Sequence, residues 1–193
     1  DPKMEQKAKL KVIGVGGAGG NAINRMIRAD MTGVDFIAIN TDAQDLGNNS
    51  AEKRIQIGKI LTKGLGAGAR SSIGHEAMTT DKEAVQNVME SSDMVFITCG
   101  MGGGTGTGAA PVIAQLANEL GILTVGIVTL PFKFEAPRRL ERAMEAISEM
   151  KKVCDTVIII PNQKLMSIVD KNTTLSDSFL LADSILHQAT KGI

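Results

Sequence analysis

Two glycine-rich segments of this sequence have a composition that is typical of ligand-binding loops. The first runs from Gly14 to Asn21 and the second from Gly100 to Gly108. Glycine has no Cβ, so the backbone can turn tightly and bring its N–H donors close to a phosphate. The first segment alone is a GxGxxG pattern of moderate specificity, whereas residues 102–108 contain only Gly and Thr. A structural turn does not need so many glycines, and the second segment therefore predicts a phosphate-binding loop.

Each glycine-rich segment follows an apolar run and precedes a helical pattern. Ile23, Met26 and Ile27 mark the helix that the first segment opens. Pro111 follows the second segment, and we expect it in the first turn of a helix, where a missing N–H costs nothing. A helix N-terminus offers free N–H groups and the positive end of the helix dipole. Both segments therefore predict an anion-binding turn between a strand and a helix.

Six short apolar runs rich in β-branched residues predict the strands that position these segments. They cover residues 10–15, 34–40, 54–57, 94–98, 123–130 and 156–160. Because they are nearly continuous in apolar residues, they are typical of a parallel sheet covered on both faces. With helical patterns between most of them, they indicate an α/β fold, a three-layer, doubly wound, mostly parallel Rossmann-like sheet with strand order 3-2-1-4-5-6. The first and fourth strands are neighbours in that order, so both glycine-rich segments should face one ligand.

A third glycine-rich segment covers residues 64–69. It follows the third predicted strand, so it could reach the rim of the same crevice. A flexible surface connection explains this composition equally well, and the residues alone leave both alternatives open.

Residues 174–193 predict a helix with an unusually wide apolar face. Thr174 and Asp177 have the spacing of a capping box at its predicted start. The apolar positions are Leu175, Phe179, Leu180, Leu181, Ala182, Ile185, Leu186 and Ala189. A helix with so wide an apolar face is typically packed against other elements on more than one side. It could be a terminal helix in a deep groove, but we expect it to lead into a further domain.

Composition and missing motifs exclude several classes of function. Lys plus Arg and Asp plus Glu both number 21, so the basic excess of a nucleic-acid-binding protein is missing. No run approaches the about 18 apolar residues of a membrane span, and the first residues have no apolar signal core. The sequence has no GxxxxGK[ST] motif and no zinc-spaced Cys/His cluster, since His75 and His187 are isolated. Cys99 and Cys154 lie in apolar stretches and predict buried free thiols in a reducing cytoplasm.

Five motifs resemble the FtsZ family, the prokaryotic relatives of tubulin, in order and spacing. They are residues 14–21, Asn40-Thr41-Asp42, residues 64–69, residues 102–108 and Pro131-Phe132-x-Phe134-Glu135. The Gly-Gly-Gly-Thr-Gly-Thr-Gly run is close to diagnostic of the tubulin/FtsZ superfamily, and the resemblance extends from Leu10 to Gly192. The chain departs from the family pattern at Arg70-Ser71, where Asn-Pro or a similar pair is usual, and at Ala136, where glycine is usual.

The resemblance implies a guanine-nucleotide site. The first glycine-rich segment contacts the nucleotide, the second wraps the phosphates, and the third lies near the γ-phosphate. A Glu–Arg pair holds the ribose, and residues towards the end of the chain read and stack on guanine. The predicted nucleotide-binding residues are Gly16, Gly17, Ala18, Gly19, Gly20, Asn21, Asp42, Gly100, Gly102, Gly103, Gly104, Thr105, Gly106, Thr107, Ala67, Gly68, Ala69, Glu135, Arg139, Asn162, Phe179 and Asp183.

The proposed base contacts are chemically reasonable. The Asp183 carboxylate can accept hydrogen bonds from N1–H and the 2-amino group of guanine, a donor pair that adenine lacks. Phe179 lies one helical turn earlier, so both side chains can face the base. Without the resemblance, core packing is the better explanation of Phe179.

The same resemblance implies a cytoplasmic GTPase that polymerises head to tail with itself and builds the division ring at mid-cell. GTP or GDP would be the ligand, with Mg²⁺ accompanying GTP and its protein ligands left open. Other division proteins would bind mostly through a C-terminal tail, and neither nucleic-acid binding nor direct membrane insertion is expected.

The resemblance also implies an organisation of the chain. We expect a flexible extension at residues 1–9, a GTP-binding domain at 10–174 and a central helix at 175–193 that leads to a missing domain. In the family, an acidic loop beyond that helix completes GTP hydrolysis in a neighbouring subunit. The 193-residue chain should therefore bind GTP or GDP, hydrolyse GTP very slowly, form no filament alone and self-associate through its exposed apolar helix.

Two other classes of function stay open. An NAD-dependent oxidoreductase fits residues 14–19, and Asp42 lies roughly 20 residues further on, as a ribose-binding acid should. Residues 102–108 count against it, since a dinucleotide fold does not need them. A tubulin-like filament protein outside division would have the same fold and site.

Overall fold

The computed structural model describes residues 8–68, 70–130 and 137–161. The strands are β1 (Leu10–Val15), β2 (Asp35–Asn40), β3 (Lys53–Gln56), β4 (Met94–Gly100), β5 (Leu123–Leu130) and β6 (Thr156–Pro161). The helices are α1 (Gly16–Arg28), α2 (Ala43–Gly47), α3 (Lys59–Thr62), α4 (Ser71–Thr80), α5 (Lys82–Met89), α6 (Thr105–Glu119) and α7 (Pro137–Val153). Each predicted strand is present, with ends that differ by at most two residues from the prediction.

The six strands form one parallel sheet in the order β3-β2-β1-β4-β5-β6. This arrangement confirms the predicted doubly wound fold and its strand order. Val15 at the end of β1 lies beside Cys99 of β4. The glycine-rich segments that follow these strands therefore start side by side at one edge of the sheet.

Two apolar clusters fill the space between the sheet and the helices on its two faces. On one face, Ile13 and Ile97 belong to the cluster that α4, α5, α6 and α7 complete. On the other face, Val12 packs with Ile23 and Met26 of α1. Neighbouring residues of β1 thus point to opposite layers, and both layers are apolar. This double burial is the reason why the strand sequences are apolar throughout.

The helices that follow the two glycine-rich segments begin earlier in the sequence than expected. Because α1 begins at Gly16 and α6 at Thr105, much of each segment is the first turn of a helix. Pro111 consequently lies inside α6, and the expectation that it occupies the first turn is wrong. Proline offers no N–H to the carbonyl of Thr107, but its fixed φ is compatible with a helix. Burial of all residues 105–114 offsets the lost hydrogen bond.

The predicted domain organisation stays a prediction. Residues 1–7 of the expected extension, and the whole of the expected helix at 175–193, lie outside the described residues. Among the helices that are described, none has the length and hydropathy needed to cross a membrane.

Candidate functional site

A cleft of about 450 Å³ opens at the carboxyl ends of the strands, where the glycine-rich segments meet. Its described walls come from the ends of β1, β2 and β4, the starts of α1 and α6, the segment that follows α3, Asp45 of α2 and Arg139 of α7. A cleft of this volume suits a small-molecule ligand. It also lies where parallel α/β sheets bind ligands, at the switch point between β1 and β4.

The N-termini of α1 and α6 converge on this cleft. A Cβ built on Gly16 would lie 3.1 Å from the backbone nitrogen of Gly106, and Gly16 has a φ of +76° that side chains rarely adopt. Within the described residues, no side chain caps either helix, since Val15 and Gly104 precede them. The first N–H groups of both helices therefore lack intrahelical acceptors. Together with two positive dipole ends, they suit an anion.

Hydrogen bonds fix the shape of the second segment. The Gly102 N–H donates to Thr107 Oγ1 at 2.7 Å, and the Met101 N–H donates to the Thr129 carbonyl at 2.9 Å. The buried hydroxyls of Thr105 and Thr41 lie 2.7 Å apart, which ties the start of α6 to the end of β2. The donors at the start of α6 are thus preorganised.

The third glycine-rich segment lies against the second. A Cβ on Gly104 would collide with the Gly68 carbonyl oxygen and would lie 3.0 Å from Ala67 Cβ. The segment is also held to the start of α2 by an isolated bridge between Asp42 and Leu65 and by the Ala43 N–H, which donates to the Gly64 carbonyl at 3.0 Å. The described part of the segment therefore belongs to the rim of the cleft, in agreement with the first of the two alternatives.

Two carboxylates and one guanidinium are the charged groups among the described residues of the cleft wall: Asp42, Asp45 and Arg139. Asp42 Oδ1 accepts hydrogen bonds from the N–H groups of Gln44 (2.9 Å) and Asp45 (3.1 Å), so Asp42 caps α2. Asp45 Oδ2 lies 3.6 Å from the position that a Cβ on Gly17 would occupy. With so few cationic side chains, the donors for an anion are mainly backbone N–H groups.

The structure brings most of the predicted nucleotide-binding residues together. Those that line the cleft are Gly16, Gly17, Ala18, Asp42, Ala67, Gly68, Gly100, Gly102, Gly103, Gly104, Thr105, Gly106 and Arg139. Gly20 and Asn21 line an adjoining cavity of about 70 Å³ between α1 and α2. Ala69, Glu135, Asn162, Phe179 and Asp183 lie outside the described residues.

Gly19 and Thr107 line neither cavity. A Cβ on Gly19 would lie 2.5 Å from the Thr98 carbonyl oxygen, so Gly19 allows α1 to pack on β4. Thr107 accepts the hydrogen bond from Gly102. Both residues support the cleft, and their predicted contact with a nucleotide stays a prediction.

Sequence reasoning missed Thr41 and Asp45 on the cleft wall. Thr41 carried a signal, because it lies inside the Asn40-Thr41-Asp42 motif at the end of a predicted strand. Asp45 carried none, since the short helix α2 that aims it towards α1 was not predicted.

The described residues offer neither a thiol nucleophile nor a cluster of metal-ligating side chains at the cleft. Cys99 lies under Gly106, whose Cβ would be 3.3 Å from Cys99 Cβ. Burial raises the pKa of the Cys99 thiol to about 12, so it stays protonated at neutral pH. Cys99 and Cys154 are both free thiols, but only Cys99 is buried as predicted, whereas Cys154 is half-buried. Among the described residues, no three His, Cys, Asp or Glu side chains group as metal ligands would.

Comparison with known proteins gives one family. The model of the Tubulin/FtsZ family, GTPase domain, matches residues 9–170. A structure of an empty FtsZ dimer from M. jannaschii is similar to this chain at 48% sequence identity with a TM-score of 0.83. That match covers 99% of this chain and 55% of the FtsZ chain.

Two archaeal CetZ structures are also similar. CetZ1 from Haloferax volcanii, a GDP-bound monomer, is 27% identical with a TM-score of 0.74, over 80% of this chain and 51% of CetZ1. CetZ2 from the same organism, a GTPγS-bound protofilament, is 24% identical with a TM-score of 0.76, over 88% of this chain and 54% of CetZ2, and shows likeness of fold alone. The chain thus spans about half the length of these relatives.

Proposed function

The chain belongs to the Tubulin/FtsZ family of GTPase domains, and from this membership we propose that its cleft binds GTP or GDP. One observation carries the proposal: the uncapped starts of α1 and α6 meet at the ends of neighbouring strands. Their N–H groups and dipoles can meet the charge of a phosphate chain without a P-loop lysine. In this proposal residues 16–21 and 100–107 hold the phosphates and residues 67–69 lie beside the terminal one.

The remaining predicted residues complete the proposed site. Arg139, which reaches the cleft wall, holds the ribose with Glu135. Asn162, Phe179 and Asp183 read and stack on guanine. Mg²⁺ accompanies GTP: it prefers carboxylate and phosphate oxygens, and Asp42 and Asp45 place carboxylates on the cleft wall. The bound ion would neutralise phosphate charge, while the backbone donors orient the nucleotide.

Nucleotide competition tests the class of ligand. We expect labelled GDP to bind the 193-residue chain and to be displaced by GTP and GDP but not by ATP or NAD⁺. Failure of labelled GDP to bind, with binding of labelled NAD⁺ instead, would favour the oxidoreductase alternative, which family membership already disfavours.

Gly103→Ala tests the location of the site. Gly103 lines the cleft, and a Cβ there would meet no protein atom within 4 Å. We therefore expect the added methyl group to leave the fold intact and to weaken GDP binding by about tenfold, because it occupies space assigned to phosphate. Gly47→Ala is the control: its Cβ would also be unhindered, but Gly47 does not line the cleft. Equal GDP affinity in both variants would contradict this location.

We further propose that GTP hydrolysis is completed between adjacent subunits. The 193-residue chain should then bind GTP with turnover far below that of a filament, since water-positioning groups must come from a neighbour. Steady-state phosphate release from the purified chain measures this. Turnover at a filament-like rate would refute the shared site.

For the whole protein we propose head-to-tail self-assembly in the cytoplasm and a role in the division ring. Similarity to the FtsZ dimer supports self-association. A tubulin-like filament outside division is the alternative. Depletion of the protein in its source cell distinguishes the two roles. Loss of division with continued growth supports the division ring, whereas altered shape or plasmid loss with normal division supports the alternative.

A further inference from the structure

We propose that Asp45 makes nucleotide binding depend on a divalent cation, because its carboxylate repels a polyphosphate that arrives without one. The inference rests on the proposed guanine-nucleotide site. It assigns a specificity-determining role to a residue outside the predicted nucleotide-binding set.

Asp45 belongs to α2, and its side chain lies close to the start of α1. Its Oδ2 lies 3.6 Å from the position of a Cβ on Gly17, which belongs to the first turn of α1. Asp45 also lines both the cleft and the adjoining cavity, and Gly16 and Gly17 line them as well. The carboxylate therefore shares the positive end of α1 with the phosphates that we place there.

The position of Asp45 is fixed by the backbone around it. Its N–H donates to Asp42 Oδ1 at 3.1 Å. The neighbouring Ala43 N–H donates to the Gly64 carbonyl at 3.0 Å. These bonds hold the backbone of α2 against the third glycine-rich segment, so the exposed Asp45 side chain starts from a fixed position beside the cleft.

The described cleft wall carries more negative than positive side chains, since both Asp42 and Asp45 line it. Arg139 is the one cation among the described residues of the cleft wall. A polyphosphate at the start of α1 would thus meet a negative charge at short range.

A divalent cation reverses the sign of this interaction. Mg²⁺ is typically held by one or two carboxylates together with phosphate oxygens. With the cation between them, Asp45 and the phosphates attract the same ion. Asp45 therefore lowers affinity for the free nucleotide and retains affinity for its Mg²⁺ complex.

The test is equilibrium binding of GDP and of GTPγS to the 193-residue chain, in Mg²⁺ and in EDTA. The variants are Asp45→Asn, which removes the charge, and Asp45→Glu, which keeps it. Glu52→Gln is the matched control, because Glu52 is exposed and directly precedes β3, at the opposite end of the sheet from the cleft. Thermal unfolding of each variant checks that the fold is intact.

We expect Asp45→Asn to reduce the ratio of affinity in Mg²⁺ to affinity in EDTA by about threefold to tenfold, chiefly through tighter binding in EDTA. Asp45→Glu and Glu52→Gln should keep the wild-type ratio. The difference should shrink at high ionic strength, since salt screens an exposed charge, whereas a purely structural effect would not.

An unchanged ratio in Asp45→Asn overturns the inference while leaving the nucleotide site intact. An equal change in Glu52→Gln also overturns it, because net charge would then explain the result. If the wild-type chain binds no guanine nucleotide in either buffer, the proposed function fails and this inference fails with it.

Discussion

At the scale of single residues, side chains support the cleft while the backbone supplies its donors. Thr107 illustrates this division: its hydroxyl accepts the Gly102 N–H at 2.7 Å, and both residues are buried. Losing a buried acceptor leaves the donor unsatisfied, which costs more than the hydrogen bond itself contributes. The threonines between the glycines therefore shape the segment, whatever ligand it holds.

Thr107→Val tests this role. The substitution keeps the side-chain shape but removes the acceptor, so we expect the free energy of unfolding to fall by about 1–3 kcal/mol. Chemical denaturation measures it. Thr79→Val is the control, because the exposed Thr79 hydroxyl only donates to the His75 carbonyl, and its loss should change stability by less than about 0.5 kcal/mol. Equal losses in the two variants would remove the special role of Thr107.

At the scale of elements, glycines let α4 and α6 pack backbone to backbone. A Cβ on Gly74 of α4 would collide with the Gly104 carbonyl oxygen and would lie 2.9 Å from Thr105 Cα. A Cβ on Gly108 of α6 would collide with the Ser71 carbonyl oxygen. This close crossing places the start of α4, and the third glycine-rich segment before it, directly on the start of α6.

Gly74→Ala should therefore disturb both stability and the cleft. We expect a loss of about 1–3 kcal/mol, typical of overpacking, together with weaker nucleotide binding because Gly104 must move. Denaturation and GDP titration measure the two effects. Ser72→Ala, on an exposed position of the same helix, should leave both nearly unchanged. A stable Gly74→Ala variant with normal binding would show that the crossing is not tight.

At the scale of the whole molecule, a buried thiol in the sheet makes the free energy of unfolding depend on pH in the alkaline range. Cys99 lies near the carboxyl end of the central strand β4, where burial raises the pKa of its thiol from 9.0 to about 12. The unfolded chain loses this proton at lower pH than the folded chain does. The contribution of the protonated Cys99 thiol to the free energy of unfolding is thus complete below about pH 9 and is lost as the pH rises towards 12.

Cys99→Ala tests this linkage through the pH dependence of stability. Relative to the variant, the wild-type chain should lose free energy of unfolding above pH 9, with a slope of at most about 1.4 kcal/mol per pH unit. Urea denaturation at a series of alkaline pH values measures the difference. Cys154→Ala should show the effect over a narrower range, since the pKa of Cys154 rises only to about 11. A difference independent of pH would contradict the raised pKa.

The strands and the two glycine-rich segments at strand ends could be predicted from the sequence alone, whereas the predicted strand order came from the usual doubly wound topology. These features follow from local properties: continuous apolar runs can be buried only in a sheet covered on both faces, and clustered glycines allow close backbone approach. Such patterns depend on residue type and spacing along the chain, so they can be read without coordinates.

Packing between elements set where α6 begins, where the third segment lies and what Asp45 faces. Pro111 indicated a later helix start, but packing of residues 105–114 against the sheet and α4 outweighs the missing hydrogen bond. Gly68 lies next to Gly104, and Asp45 next to Gly17, although each pair is far apart in sequence. Contacts of this kind depend on how whole elements pack, and no local propensity specifies them.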